Sequence, residues 1–405
     1  EHNVQYNCRQ FATLNPEMHL SATVIEGGYC IGCGACAAIK DTPFRMRFNQ
    51  QGQYEAYCCS QEKQEHDSIR VCPFAEGNPT EDDIAQDLFG RNCIHDTQIG
   101  YYSSIFGGHV ADRKLRSTRT SGGFTAWLLR KLLEQHMVDG IVHVVQSNGD
   151  PLSKYAIATS ITELEHSAKS AYYPVEMSQV LQEIQQREGV YAIVAIPSFI
   201  KALRLLCLED QIFQERIRYC IGIISGHLKS KQYAELLAWQ LGIEPKDIVA
   251  IDFRKKRQNG RANMYRTEVH YRAPDGTVQS QSAPVTNLFG TNWSLGFMKY
   301  LADDYSDDVI GETADVSIGD AWIPPYVRDS DGNNIVVVRK KDIQILIQEG
   351  IAAGELAFDT LQPHDVVRSQ QAGFRHRREG LACRIERKRK QGTWHPPVRI
   401  PLSTS

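Results

Sequence analysis

Residues 190–225, VYAIVAIPSFIKALRLLCLEDQIFQERIRYCIGIIS, read as strand, helix, strand. VYAIVAIP (190–197) is a continuous apolar run, the pattern of a strand buried on both faces of a parallel sheet. FIKALRLLCLED reads as a helix, and RYCIGIIS (218–225) as the next strand. The alternation extends both ways. Upstream, FTAWLLRKLLEQH (124–136) has apolar residues at helical spacing, GIVHVVQS (140–147) is a β-branched run, and VEMSQVLQEIQQRE is helical again. Downstream, KSKQYAELLAWQLG is a helix. Strands and helices in turn, with short connections, predict an α/β layer architecture. From about Asp247 the pattern becomes mixed, so the fold class expected is α/β with α+β character. IVAIDFRKK is strand-like, and RTEVHYRAPDGTVQSQSAP reads as a hairpin turned at Pro274-Asp275-Gly276. LGFMKYLADDY reads as a helix, DVSIGDAW and NNIVVVRKK as strands, and DIQILIQEGIAAG as a closing helix. The first hundred residues are polar and poor in periodic pattern, which predicts a small domain organised by a metal rather than by a large core. The expected division is 1–98, 99–362 and a basic extension, 363–405, lying over the surface.

The 405 residues carry a net charge of −3, which argues against a nucleic-acid footprint. Two basic runs, Arg254 to Arg257 and Arg375 to Lys390, read as solvated faces or contacts to an anionic small molecule. No apolar run is long enough to span a bilayer, and EHNVQYNCRQ lacks the layout of a secretory signal, so a cytoplasmic protein is expected. Eleven cysteines are too dilute for a disulfide scaffold. Seven of them fall between Cys8 and Cys72, which marks a site in a reducing compartment.

The site is Cys30-Ile-Gly-Cys33-Gly-Ala-Cys36, followed by Cys72-Pro73. Cysteines at every third residue of a tight turn can wrap three corners of a cubane, and a distant Cys-Pro supplies the fourth thiolate in bacterial-type ferredoxins. Gly32 and Gly34 are expected to let the backbone approach the inorganic sulfides. The competing reading is a structural zinc, which usually takes paired hooks. Cys58 or Cys59 could replace Cys72 as fourth ligand. Cys8, Cys93, Cys207, Cys220 and Cys383 have no partner spacing and read as buried thiols.

Thr120-Ser121-Gly122-Gly123-Phe124-Thr125 precedes an amphipathic helix. Free N–H groups at a helix start make an anion cradle suited to a flavin phosphate, although Ser-Gly-Gly is also an ordinary cap and turn. Ser225-Gly226-His227-Leu228-Lys229-Ser230 lies at a strand-to-helix junction, where open α/β sheets bind ligands. Ile318-Gly319-Asp320-Ala321-Trp322 ends another strand with a carboxylate and an aromatic ring. His227, Lys229 and Asp320 are therefore the catalytic candidates, with a helix cap and a packed Trp as the plain alternatives.

In this order the motifs resemble the coenzyme F-420 hydrogenase/dehydrogenase beta-subunit family, whose relatives include 7-hydroxymethyl chlorophyll a reductase and divinyl chlorophyllide reductase. The likeness runs from CIGCGAC through VCPF, TSGGFTAWLL, KSAYYPVEMSQVL, AIPSFIKALRLL, SGHLKSKQYAE and ETADVSIGDAW to FRHRREGLA, and the later motifs look most like members from bacterial exopolysaccharide loci. The resemblance implies a flavin-binding α/β domain holding FAD, with a single 4Fe–4S cluster nearby. It implies that Ser121, Gly122, Gly123 and Thr125 line the flavin, with Lys169 and Tyr173 close to it and His227 and Lys229 near it from the next junction. One departure stands out. Many members carry four further cysteines for a second cluster where this chain has Ser198, Ser225, Asp303 and Ser306, so that cluster is expected to be missing.

The expected function is an iron–sulfur flavoprotein oxidoreductase. It would pass electrons between a ferredoxin-like or deazaflavin donor, the cluster, FAD and a small organic substrate, with polysaccharide biosynthesis as the setting. An electron-transfer subunit of a larger oxidoreductase and a non-catalytic scaffold with a structural metal are the alternatives. No nucleic-acid partner and no membrane span are expected, and a homo-oligomer is allowed.

Overall fold

The computed structural model describes residues 19–60, 65–147, 149–165, 169–257 and 260–400. Cys8 lies outside the described residues. The architecture is α/β, centred on an eight-stranded mixed sheet. In chain order its strands are β1 (Ser104–Val110), β2 (Gly140–Gln146), β3 (Ser153–Ala158), β4 (Tyr191–Ala195), β5 (Ile217–Ile223), β6 (Val316–Asp320), β7 (Asn334–Val338) and β8 (Leu356–Thr360). Across the sheet they run β8-β1-β7-β6-β5-β4-β2-β3. The centre, β6-β5-β4-β2, is parallel, and the flanking pairs are antiparallel. That arrangement follows from the sequence: the most continuously apolar runs take the central positions, where both faces are covered.

Alternate side chains of the central strands feed two cores. Val142 and Ile193 point into one apolar cluster, while their neighbours Ile141 and Ala192 point into the other, as a period of two demands. The helices α1 (Phe124–Glu134) and α5 (Lys341–Ala352) cover the second face through Phe124, Leu128, Leu346 and Ile347. On the first face lie α2 (Ser178–Gln186) and α3 (Pro197–Glu209). Helix α3 is buried along its length from Pro197 to Cys207, because residues 31–38 and 69–75 pack on its far side in the same cluster. Away from the main sheet, strands 248–255, 266–272 and 278–284 form a separate antiparallel sheet whose last hairpin turns where the sequence predicts. Helix α4 (Lys231–Gln240) packs against that sheet through Tyr233 and Leu237. No helix among the described residues is long and apolar enough to cross a membrane.

Two expectations fail. LGFMKYLADDY is not a helix: it forms short 3-10 turns at Trp293–Leu295 and Leu301–Tyr305. Gly296 and Met298 sit at positive φ between them, which breaks helical propagation. The tail after Pro363 does not merely cover the surface. It runs through helices whose Val366, Leu381 and Ile385 are buried, and Arg377 is buried with them. Further on, Arg399 reaches Asp307 and Glu312. Basic side chains turn inward here because buried carboxylates receive them.

Candidate functional site

Cys30, Cys33, Cys36 and Cys72 converge. Cys33 and Cys36 are buried, and Cys30 and Cys72 are partly so. Burial raises all four thiols, and they raise one another: Cys30 and Cys72 both act on Cys33 and on Cys36. Cys72 is pushed up to about 12. Backbone N–H groups point at the sulfurs, from Ala56 to Cys30 at 3.4 Å, from Ala35 to Cys33, and from Phe74 and Ala75 to Cys72. Among the described residues no three His, Cys, Asp or Glu side chains stand close enough to hold a single metal ion. Cys58 and Cys59 are exposed, and their thiols donate to the carbonyls of Ser60 and Pro43. Of the other cysteines, Cys207 and Cys220 are buried as expected, Cys93 is partly so, and Cys383 is exposed on the outer side of the last helix.

The glycines of the motif are also required by packing, and the Gly32 N–H points at the Cys30 thiol. Gly32 and Gly34 adopt φ of 73° and 83°, which disfavours other residues. A Cβ on Gly32 would meet the Tyr54 carbonyl at 2.5 Å, and one on Gly34 would meet the Ser178 nitrogen at 2.7 Å. Close passage of the 54–58 strand and the start of α2 thus dictates glycine here.

Beside this site lies a cavity of about 1090 Å³ at the ends of the central strands. Tyr155 borders both. It lines the cavity, and after burial the Cys33 thiol is the second cause that raises its phenol. Ser121, Gly123, Thr125, Lys169 and Tyr173 all line the cavity, as do His227, Lys229 and Asp320. Gly122 does not. A Cβ there would strike Asn334 Oδ1 at 2.7 Å and the Gly108 carbonyl at 2.8 Å, so Gly122 serves the packing of the turn onto β1 and β7. The Ser121 hydroxyl donates to the Asn333 carbonyl, and Asn334 caps the Phe124 N–H at 3.1 Å. The Thr125 and Ala126 N–H groups have no acceptor among the described residues, and both residues line the cavity. Lys169 is paired with Asp252 at 2.6 Å, and the Tyr173 hydroxyl donates to Asp150 at 3.1 Å.

The three catalytic candidates differ in their surroundings. Asp320 accepts both arms of Arg254, at 2.7 and 3.1 Å, which leaves it a structural anchor rather than a free acid. His227 lies against Trp293, and burial followed by Lys229 and Lys299 lowers it to about 2, so its imidazole is neutral. Lys229 is buried, and burial followed by Lys299 lowers it to about 8.

Two models of the coenzyme F420 hydrogenase/dehydrogenase beta subunit match the sequence, its N-terminal part over residues 105–182 and its C-terminal part over 189–364. The chain belongs to this family. A chain of the F420-reducing [NiFe] hydrogenase complex from Methanosarcina barkeri shares the fold, with a TM-score of 0.54 and 14% identity, covering 76% of this chain and 100% of that one. No curated protein matches at the sequence level. The family is one of oxidoreductase subunits, and electron transfer is its class of work.

Within this F420 beta-subunit fold, three of the four positions expected to lack a second cluster surround one guanidinium. Arg377 donates to Asp303 Oδ1 at 2.9 Å, to the Ser306 hydroxyl at 3.4 Å and toward the Ser225 carbonyl at 3.5 Å. Ser198 opens α3 and is buried. A hydrogen-bonded ion pair occupies the centre of the group. Arg119, His143, Tyr155, Trp293 and Asn334 are among the cavity residues that no motif singles out, and Arg254 reads only as part of a charge run. His143 had a readable signal, a lone polar residue inside the apolar run GIVHVVQS. The side chain of Arg254 is only 7% exposed, and a charge run alone gives no hint that one of its members turns inward.

Proposed function

We propose that this chain is an electron-transferring iron–sulfur flavoprotein, with one 4Fe–4S cluster on Cys30, Cys33, Cys36 and Cys72 and a flavin, FAD, in the adjoining cavity. The observation that carries the reading is Tyr155, a single side chain shared by the thiol group and the cavity. The thiols fit a cluster. They feel one another's charge without forming a nest for one ion, and N–H groups already point at their sulfurs. The cavity volume reaches the top of the usual range for small-molecule sites, as a dinucleotide needs. When bound, the two groups would supply one-electron carriage and its conversion to two-electron chemistry.

The chain's own part is to hold and to insulate. The Thr125 and Ala126 N–H groups at the start of α1, with Arg119 and His143 beside them on the cavity wall, suit the phosphates of a dinucleotide. Tyr172 and Trp293, in ring contact on the cavity wall, with Phe253 packed on Tyr172, give an apolar surface that keeps water from a reduced ring system. The electron donor would be a ferredoxin-like protein or a deazaflavin, the acceptor a small organic molecule, and the setting cytoplasmic.

Anaerobic purification followed by iron, sulfide, zinc and flavin quantification tests this. About four irons and about one flavin per chain are expected. One zinc without flavin would overturn it, and about eight irons would restore the second cluster that the Arg377–Asp303 pair argues against.

A further inference from the structure

The cations that act on His143 and on His227 form two sets, apart from Lys169 and Arg254, which are paired with carboxylates. Those acting on His143, beside the start of α1, are led by Arg119; those acting on His227 are Lys229, Lys299, Arg377 and His376, and no residue is common to both. The first set accompanies the helix N–H groups assigned above to cofactor phosphates. The second set has no such assignment.

Its centre is Lys229, 1% exposed. The ammonium donates to the Phe297 carbonyl at 2.6 Å and lies over the rings of Tyr233 and Trp293 at 4.6 and 4.7 Å. No carboxylate among the described residues pairs with it. Asp303, the carboxylate that acts on it, is engaged by Arg377 at 2.9 Å and the Leu228 N–H at 2.6 Å, and neighbouring Asp304 by Lys299 at 2.5 Å and His376 at 2.7 Å. Next to Lys229, His227 Nε2 is buried without a hydrogen-bond partner, and the residue is only 7% exposed. Arg375, an exposed residue, lines the same cavity elsewhere without an ion-pair partner among the described residues.

We propose that Lys229 and His227 form a second anion site, which holds a carboxylate or phosphate group of the small molecule that exchanges electrons in this cavity. The inference rests on reading the cavity as the cofactor site. A buried ammonium facing rings and one carbonyl, beside an unsatisfied imidazole, is costly by itself. One anion would repay both, accepting from the ammonium and from a neutral imidazole N–H. The substrate class is therefore an organic acid or a phosphorylated compound, not a neutral sugar.

The full-length protein, purified anaerobically with whatever cofactors it carries, is titrated calorimetrically with inorganic phosphate and separately with succinate. Saturable binding of at least one is expected, and the tighter of the two names the anionic group. Lys229→Met should weaken it about tenfold or more, Lys229→Arg should restore most of it, and Lys390→Met, at the exposed end of the last helix and outside the cavity, should leave it unchanged. Absence of binding, or equal binding by Lys229→Met, overturns the site. So does binding lost in Arg119→Met but kept in Lys229→Met. Loss of flavin absorbance from Lys229→Met, with iron and folding intact, also overturns it, since the lysine would then hold the cofactor. A wild-type protein without a flavin spectrum that still binds phosphate through Lys229 would sink the cofactor reading and leave the anion site standing.

Discussion

The thiol group and the cavity share Tyr155 but follow opposite electrostatic plans. Around the cysteines there are apolar side chains, backbone N–H groups and the partial relief of Lys201, itself paired with Glu81. Around the cavity there are arginines, lysines and aromatic rings. Thiolates in the first place would repel one another without a cation between them, so that site needs metal to become charged. The second holds its cations in advance, two of them already paired with carboxylates, and on the reading proposed above would take an anion. On that reading one region would be completed by positive charge and its neighbour by negative charge, and that difference gives each a distinct way to fail.

The largest effect belongs to the thiols. Cys33→Ala should take the iron content from about four per chain to near none and bleach the visible cluster absorbance, while flavin is mostly retained. Iron unchanged in that variant would remove Cys33 from the ligand set. Loss of both groups together would show that the two regions do not fail independently.

Next comes the ion pair at the cavity wall. The Arg254 side chain is 7% exposed and that of Asp320 is 19% exposed, and they form a bidentate pair. Arg254→Met strands a carboxylate and should cost about 3–5 kcal/mol in urea unfolding, with part recovered in Arg254→Met/Asp320→Asn. A loss below about 1 kcal/mol would mean that water reaches Asp320 and the wall is open.

A smaller effect appears with pH. Lys229 is lowered to about 8 in the folded chain, while an unfolded lysine titrates near 10.4. Below about 8 both states carry the proton and the burial penalty is fully present. Between about 8 and 10.4 the unfolded chain binds more protons, so this group makes stability rise with pH across that window. Lys256, also lowered to about 8 by burial, acts in the same direction. Unfolding curves of Lys229→Met should therefore rise less steeply than wild type from pH 8 to 10. Parallel curves would show that Lys229 is solvated rather than held among Trp293, Tyr233 and Phe297.

The contrast between the regions also explains what could be read in advance. Three cysteines within seven residues must share a site whatever the tertiary fold, so the thiol group was legible from spacing, and so were the strands that carry continuous apolar runs. Cavity residues meet only through the fold. Asn334 caps the helix at Phe124 across a gap of 210 residues, and Arg254 finds Asp320 across 66. Local pattern also misled where a side chain's partner lay elsewhere. Gly122 looked like a phosphate contact but is fixed by Asn334 and Gly108, and Arg377 looked like a surface charge but is received by Asp303.

The smallest effect is expected at the neighbouring cysteines, and it sharpens the boundary of the thiol group. Cys58 and Cys59 are exposed at the end of the 54–58 strand, and each thiol donates to a nearby carbonyl, as a serine hydroxyl could. The thiols chiefly felt by Cys33, Cys36 and Cys72 are one another's and that of Cys30, not those of Cys58 or Cys59. Cys58→Ser/Cys59→Ser should therefore leave iron content unchanged and stability within about 0.5 kcal/mol of wild type. Iron lost from this variant but retained by Cys72→Ser would move the fourth ligand to the 54–58 strand. The cluster would then sit further out than Tyr155 can bridge, and the link between the two regions would break.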